Sequence, residues 1–236
     1  MENQTNKVAL ITGASKGIGY SVAELLIKNG YRVAITSRSQ AAADTAVEKL
    51  KEFGPVIGLA ADVKDLASQE KVVASIKETW GQLDVLVANA GVGYFAPIDE
   101  MDPKIWQETI DTNLTGVFNS VKASVEEIKK AQGYIITISS LAGTNFFANG
   151  SAYNASKFGL TGFSQAIMLD LRKYNVKVTT IMPGSVATYF NDHEPDAEKD
   201  SWKIQPEDIG QLVVDLLNMP ARTLPSKVEI RPTMPG

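Results

Sequence analysis

The chain contains no cysteine and only one histidine, His193. Without thiols there is no disulfide framework, no cysteine zinc site and no thiol catalysis. With a single imidazole, a catalytic triad built on histidine and a multi-histidine metal centre are equally remote, and no metal is expected. Nor is there an apolar run of about 18 residues, the length a membrane-spanning helix requires. The start, Met1 to Lys7, is polar and lacks the apolar stretch of a secretion signal, which predicts a cytoplasmic protein with no membrane partner. Charge of one sign is also scarce: 23 Lys and Arg against 27 Asp and Glu leave −4. So small a balance has little pull toward nucleic acid or anionic lipid, and no nucleic-acid partner is expected.

What remains is the composition of an ordinary globule, 44% hydrophobic and 21% charged over 236 residues. A chain of this length buries roughly 70% of its unfolded surface as one domain, so it needs no staple. Residues 1–236 are read as a single domain.

Two kinds of apolar segment alternate along it. Short runs rich in β-branched residues occur at Val8 to Ile11, Val33 to Thr36, Val56 to Ala60, Val85 to Ala88, Tyr134 to Ser139, Val176 to Met182 and Val228 to Ile230. Such runs suit strands buried on both faces. Between them lie stretches with helical spacing, the first through Ile18, Val22, Leu25 and Leu26 and closed by Asn29-Gly30. Others run through Val47 and Leu50, through Val72, Val73 and Ile76, from Ile105 to Ile128, from Tyr153 to Tyr174 and from Ile209 to Leu217. The alternation predicts an α/β fold: a Rossmann-type, doubly wound parallel sheet of about seven strands with helices on both faces.

One segment breaks the pattern. From Asn191 to Asp200 five acidic residues crowd beside Pro195. They read either as a solvated loop, with His193 solvated among them, or as part of a mobile substrate lid over 185–205, since the segment follows a strand end where ligands of such sheets bind.

The first strand runs into Thr12-Gly13-Ala14-Ser15-Lys16-Gly17-Ile18-Gly19, and a helix follows at once. Glycine-rich turns also occur for purely structural reasons. Between a buried strand and an amphipathic helix, however, Gly13, Gly17 and Gly19 permit a tight turn, close backbone approach to a pyrophosphate and close helix packing, while Ser15, Lys16 and Ile18 line the turn. The spacing from Gly13 to Gly17 is wider than in the commoner dinucleotide fingerprint. Some twenty residues on, where an acid would bind the adenosine ribose, stand Ser37 and Arg38, with no carboxylate until Asp44. A carboxylate would repel a 2′-phosphate, whereas arginine attracts one and can hold it bidentately, so NADP(H) is favoured. Lys16 adds a second positive charge nearby. The alternative for Arg38 is a solvated residue at a helix start.

Asn89-Ala90-Gly91 follows the fourth run and Ser139-Ser140 ends the fifth, so both lie at carboxyl ends of strands beside one cleft. Tyr153 and Lys157 are four residues apart, which puts phenol and ammonium on one helix face. Alone, that spacing is common on helix surfaces. Combined and in order, these features resemble the short-chain dehydrogenase/reductase family over essentially the whole chain. The matching features are Thr12-Gly13 through Gly19, Asp62-Val63, Asn89-Ala90-Gly91, Asn113, Ser140, Tyr153, Lys157, Pro183-Gly184 and Thr188.

The resemblance implies roles for these residues. Tyr153 would be the general acid/base and Ser140 would hydrogen-bond the substrate oxygen. Lys157 would bind the nicotinamide ribose and lower the pKa of the phenol, since a charge ~5 Å away at an effective dielectric of ~20 is worth about two pKa units. Asn113 would interrupt a long helix and hold a relay water, unless it is merely structural. Asp62 and Val63 would contact the adenine, and Thr188 and the Val186 backbone the carboxamide. Tyr94, Phe95, Ala142, Phe146, Phe147, Met182, Tyr189, Phe190 and Trp202 are candidate cleft walls, unless they simply pack the fold.

The activity expected is NADPH-linked reduction of a ketone or aldehyde, reversible, by an enzyme resembling carbonyl reductases and 3-oxoacyl reductases. A homodimer or homotetramer is implied as well. Reduction of 3-oxoacyl groups on acyl carrier protein is the alternative, disfavoured by an acidic lid that would repel an acidic carrier. A non-catalytic nucleotide sensor is the reading from another class; such a protein would be expected to lack Tyr153 or Lys157.

Overall fold

Seven short apolar runs pair into one all-parallel sheet in the computed structural model, which describes residues 6–234. The first five residues of the polar start lie outside the described residues. The strands are β1 (Val8–Ile11), β2 (Arg32–Ser37), β3 (Val56–Ala60), β4 (Val85–Ala88), β5 (Tyr134–Ile138), β6 (Lys177–Pro183) and β7 (Lys227–Ile230), in the order β3-β2-β1-β4-β5-β6-β7. In the central strands side chains alternate between two buried faces, whereas the edge strands β3 and β7, expected to be buried as well, are only partly so because each has a neighbour on one side alone. Ala9 and Ile11 of β1 join the core beneath α1 (Gly17–Lys28), α2 (Gln40–Leu50) and α7 (Pro206–Asn218). Val8 and Leu10 point the other way, to α3 (Leu66–Trp80), α5 (Gly116–Ala131) and α6 (Ser151–Leu171). Each fully buried Leu or Ile contributes roughly 1.5–3 kcal/mol, which accounts for the lack of any hydrophobic–polar alternation in the central strands.

Local chemistry sets the helix ends. Asp65 caps α3 by accepting from the Ala67 N–H at 3.0 Å, and Gly81, at φ +78, ends it. Asp102 caps α4 (Pro103–Ile110), whose first residue is a proline with no N–H to satisfy. Gln205 and Asp208 form a reciprocal capping box on α7.

Two helices differ from the sequence expectation. The stretch read as one helix from Ile105 to Ile128 is α4, a π turn at Asp111–Thr115, then α5. The stretch from Tyr153 to Tyr174 begins two residues earlier and finishes as a 3₁₀ turn at Arg172–Tyr174.

From β1 the chain crosses to β2 on one side, while β4 lies on the other. This reversal opens a crevice over the carboxyl ends of β1 and β4, the ligand position of such sheets. A long excursion between β6 and α7 roofs part of it. Its base is closed by a Val186–Ile204 bridge, with Ala187 N–H donating to the Ile204 carbonyl at 2.9 Å. Its acidic stretch is not simply solvated. Asp200 is only 4% exposed and gathers Lys203 Nζ at 2.7 Å, the Asp196 N–H at 3.0 Å and the His193 ring. The Lys203 hydrogen bond, then the Asp196 and His193 bonds, hold its carboxyl well below the usual carboxylate range. His193, expected in water, is instead half-buried in this knot. Among the described residues no helix is long and apolar enough to cross a membrane.

Candidate active site

At the end of β1 the chain turns through Gly13, at φ +64, against the backbone of Ala90. A Cβ on Gly13 would stand 2.8 Å from Ala90 Cα, so only glycine closes the turn there. Asn89, which lines the cleft, also holds this turn: its Nδ2 donates to the carbonyls of Thr12 and Gly13 at 2.9 and 3.0 Å. Thr12 Oγ1 accepts from the N–H groups of Asn89 and Ala90, a role the sequence reading did not assign. Helix α1 then starts at Gly17 with no side-chain cap and no acid in its first turn. Its free N–H groups and positive dipole end therefore face the cleft. Gly19 lies behind, packed on Asn89, and does not line the cleft.

The cleft has a volume of about 1080 Å³. Lys16, Ser37, Arg38, Asp62 and Val63 line it. Among the described residues neither Lys16 nor Arg38 makes an ion pair; Lys16 Nζ rests 4.9 Å from the Tyr189 ring centroid. Thr36 Oγ1, at the end of β2, is buried and without a hydrogen-bond partner among the described residues. Asn119 fixes the wall by donating to the carbonyls of Val63 and Lys64 at 2.9 and 3.0 Å. A capless helix start, a glycine cradle, an orphaned hydroxyl and two unpaired cations fit a phosphorylated dinucleotide. Pro183, Gly184, Val186 and Thr188 line the same cleft.

There β5 delivers Ser140 and α6 delivers Tyr153 and Lys157. Lys157 is 5% exposed, and its Nζ donates to the Ile138 carbonyl at 3.0 Å, 5.7 Å from the centre of the Tyr153 ring. Burial lowers its pKa to about 8. The phenol departs from expectation. Burial pushes Tyr153 up to about 12, opposed by a hydrogen bond with Ser140, so desolvation outweighs the lowering expected from Lys157. The ammonium is committed to the Ile138 carbonyl, and the phenol is sunk among apolar rings. Ser140 Oγ also accepts from the Ala142 N–H at 3.1 Å and donates to the Pro183 carbonyl at 3.4 Å.

Asn113 sits in the π turn between α4 and α5, which is where its helix is interrupted. Its side chain is fully buried and occupied. Oδ1 accepts from the Val92 N–H at 2.8 Å, and Nδ2 donates to the Val92 carbonyl and Ser156 Oγ at 2.9 and 3.1 Å. Both of its N–H donors are spent in tying the loop after β4 to α6, and Asn113 is not among the cleft-lining residues. Of the candidate walls, Phe95, Ala142, Phe146, Phe147, Tyr189, Phe190 and Trp202 line the cleft, whereas Met182 is buried within β6 and Tyr94 stands outside the lining.

Comparison with known proteins agrees with this geometry. A family model described as short chain dehydrogenase matches residues 7–199. Trans-4-hydroxycyclohexanecarboxylate dehydrogenase of Sinomonas cyclohexanicum is 40% identical over 77% of this chain and 73% of its own. A 3-oxoacyl-[acyl-carrier-protein] reductase of Vibrio harveyi is 37% identical over 79% of this chain and 76% of its own. Among solved structures, an alcohol dehydrogenase from Thermococcus sibiricus, complexed with 5-hydroxy-NADP, superposes with a TM-score of 0.91 at 29% identity, covering 96% of this chain and 97% of that one.

Proposed function

The chain belongs to the short-chain dehydrogenase family, and we propose that it is an NADPH-dependent reductase of free ketones or aldehydes, with Tyr153 as proton donor. The observation that supports this most is the meeting of Ser140, Tyr153 and Lys157 in the same cleft as the glycine turn and the unpaired Lys16 and Arg38. NADPH, when bound, supplies the hydride. The protein's part is to orient the carbonyl, stabilise charge on its oxygen and deliver a proton. Ser140 turns its one O–H from the Pro183 carbonyl, a long 3.4 Å away, to donate a hydrogen bond to that oxygen, where negative charge develops. Tyr153 Oη–H gives it the proton. A phenol raised to about 12 is fully protonated at neutral pH, which favours reduction over alcohol oxidation. Lys157, charged at neutral pH, lends its positive field to the phenolate as that proton leaves. Asn113 acts as a positioning residue, through Val92 and Ser156.

A carbonyl panel followed by loss of NADPH absorbance tests this reading, and its pH dependence carries a sign. Reduction is expected to be level at neutral pH and to fall as pH rises through about 8, where Lys157 loses its charge while Tyr153 keeps its proton. A profile level to pH 10 would overturn the role given to Lys157. Silence toward every carbonyl would favour a nucleotide sensor, and turnover restricted to acyl-carrier thioesters would favour the activity named for the Vibrio harveyi relative.

The oligomer is also a proposal. On α5 and α6, Phe118 and Phe158 are 46% and 42% exposed, and Phe118 contacts Phe163 edge-on at 6.3 Å. Apolar rings on two adjacent long helices suit a face shared between copies. Light scattering is expected to return two or four times the 25.5 kDa chain mass, and a monomer would contradict this.

A further inference from the structure

Three half-exposed phenylalanines from three separate segments converge on the proton donor. Phe95 meets the Tyr153 ring edge-on, with centroids 5.5 Å apart and planes at 82°, and Phe147 meets Phe95 in turn at 5.5 Å. Phe190, from the excursion after β6, lies against Tyr153 at 5.6 Å. These rings remain 39%, 47% and 37% exposed, each at the cleft and each with apolar surface still to be covered.

Phe190 reaches Tyr153 because residue 93, in the loop after β4, has no side chain. A Cβ on Gly93 would stand 2.2 Å from two ring carbons of Phe190 and 3.3 Å from a third, and these are its three nearest atoms. Gly93 has no positive φ, so its backbone suits alanine and only the Phe190 ring stands in the way. The glycine is therefore a seat for that ring rather than a turn.

We infer that the Phe95–Phe147–Phe190 box selects carbonyls borne on a flat, aromatic ring, with Gly93 as the positioning residue that holds Phe190 in place. This rests on the reductase reading above and names its substrate class. A flat ring pairs with aromatic walls at the edge-on and tilted geometries these rings already adopt with one another and with Tyr153. A flexible alkyl chain finds no matching faces there and gives up more rotamer freedom on binding.

The test compares kcat/KM for acetophenone and for 2-octanone, which have the same number of carbons, in the native protein, Gly93→Ala, Phe190→Ala and the double variant. The native protein is expected to favour acetophenone. Each single variant should lower the acetophenone-to-octanone ratio about tenfold, mainly through the KM for acetophenone. The double variant should do no worse than Phe190→Ala, because Gly93 acts only through that ring. Phe190→Tyr should keep the ratio and Phe190→Leu should not. Native preference for 2-octanone, equal loss toward both ketones in Gly93→Ala, or additive losses in the double variant would overturn the inference. Turnover of 3-oxoacyl thioesters with neither ketone reduced would sink it while leaving NADPH-linked reduction standing; no turnover of any carbonyl would remove the reductase reading itself.

Discussion

Tyr153→Phe is expected to cut carbonyl reduction roughly a hundredfold to ten-thousandfold, the range a positioned general acid contributes, while NADPH binds as before. The substitution removes one oxygen and its hydrogen bond with Ser140. The ring keeps its contacts with Phe95 and Phe190, and Lys157 keeps the Ile138 carbonyl. The phenol is almost fully buried, so bulk water has poor access to replace it as proton donor. Turnover read by NADPH absorbance, with cofactor affinity read separately by fluorescence, distinguishes loss of chemistry from loss of binding. Near-native rates in this variant would show that the proton comes from elsewhere.

The second large effect is on cofactor choice. Arg38→Asp is expected to shift the NADPH-to-NADH ratio of kcat/KM toward NADH by about a hundredfold or more. Loss of a charge-assisted contact to the 2′-phosphate and its replacement by a like charge is worth roughly 3 kcal/mol. Arg38 lies at the cleft and, among the described residues, makes no ion pair that the variant would break, so the fold should tolerate the change. Lys16, a second cation lining the same cleft, remains in the variant. An unchanged ratio, or a native preference for NADH, would refute the assignment.

The positions of several candidate site residues were readable in the sequence for a definable reason, whereas the catalytic roles of Ser140, Tyr153 and Lys157 entered through the family resemblance. The glycine turn, Arg38, Ser140, Tyr153 and Lys157 are each tied to the end of a buried strand or to one face of a helix. Strand ends and helix faces follow from hydrophobic period alone. The residues that went unassigned act between elements far apart in the chain. Thr12 and Asn119 hold walls of the cleft through backbone groups. Ser156 anchors Asn113 across 43 positions, and Gly93 seats Phe190 from almost a hundred residues away. Nothing in the local pattern of any of these announces its partner.

The amino-acid sequence by itself determined the seven strands and their parallel winding, because apolar periodicity and glycine placement are local properties that survive any detail of packing. Only the tertiary structure decided the electrostatics and the shape of the site. Burial raised the Tyr153 phenol above its ordinary value although a lysine stands one turn away. Within the acidic segment, otherwise mostly exposed as expected, Asp200 became the buried centre of a knot with Lys203, Asp196 and His193. Three phenylalanines separated in sequence became one box. Desolvation and ring contacts depend on everything that surrounds a group in space, and that neighbourhood exists only once the chain has folded.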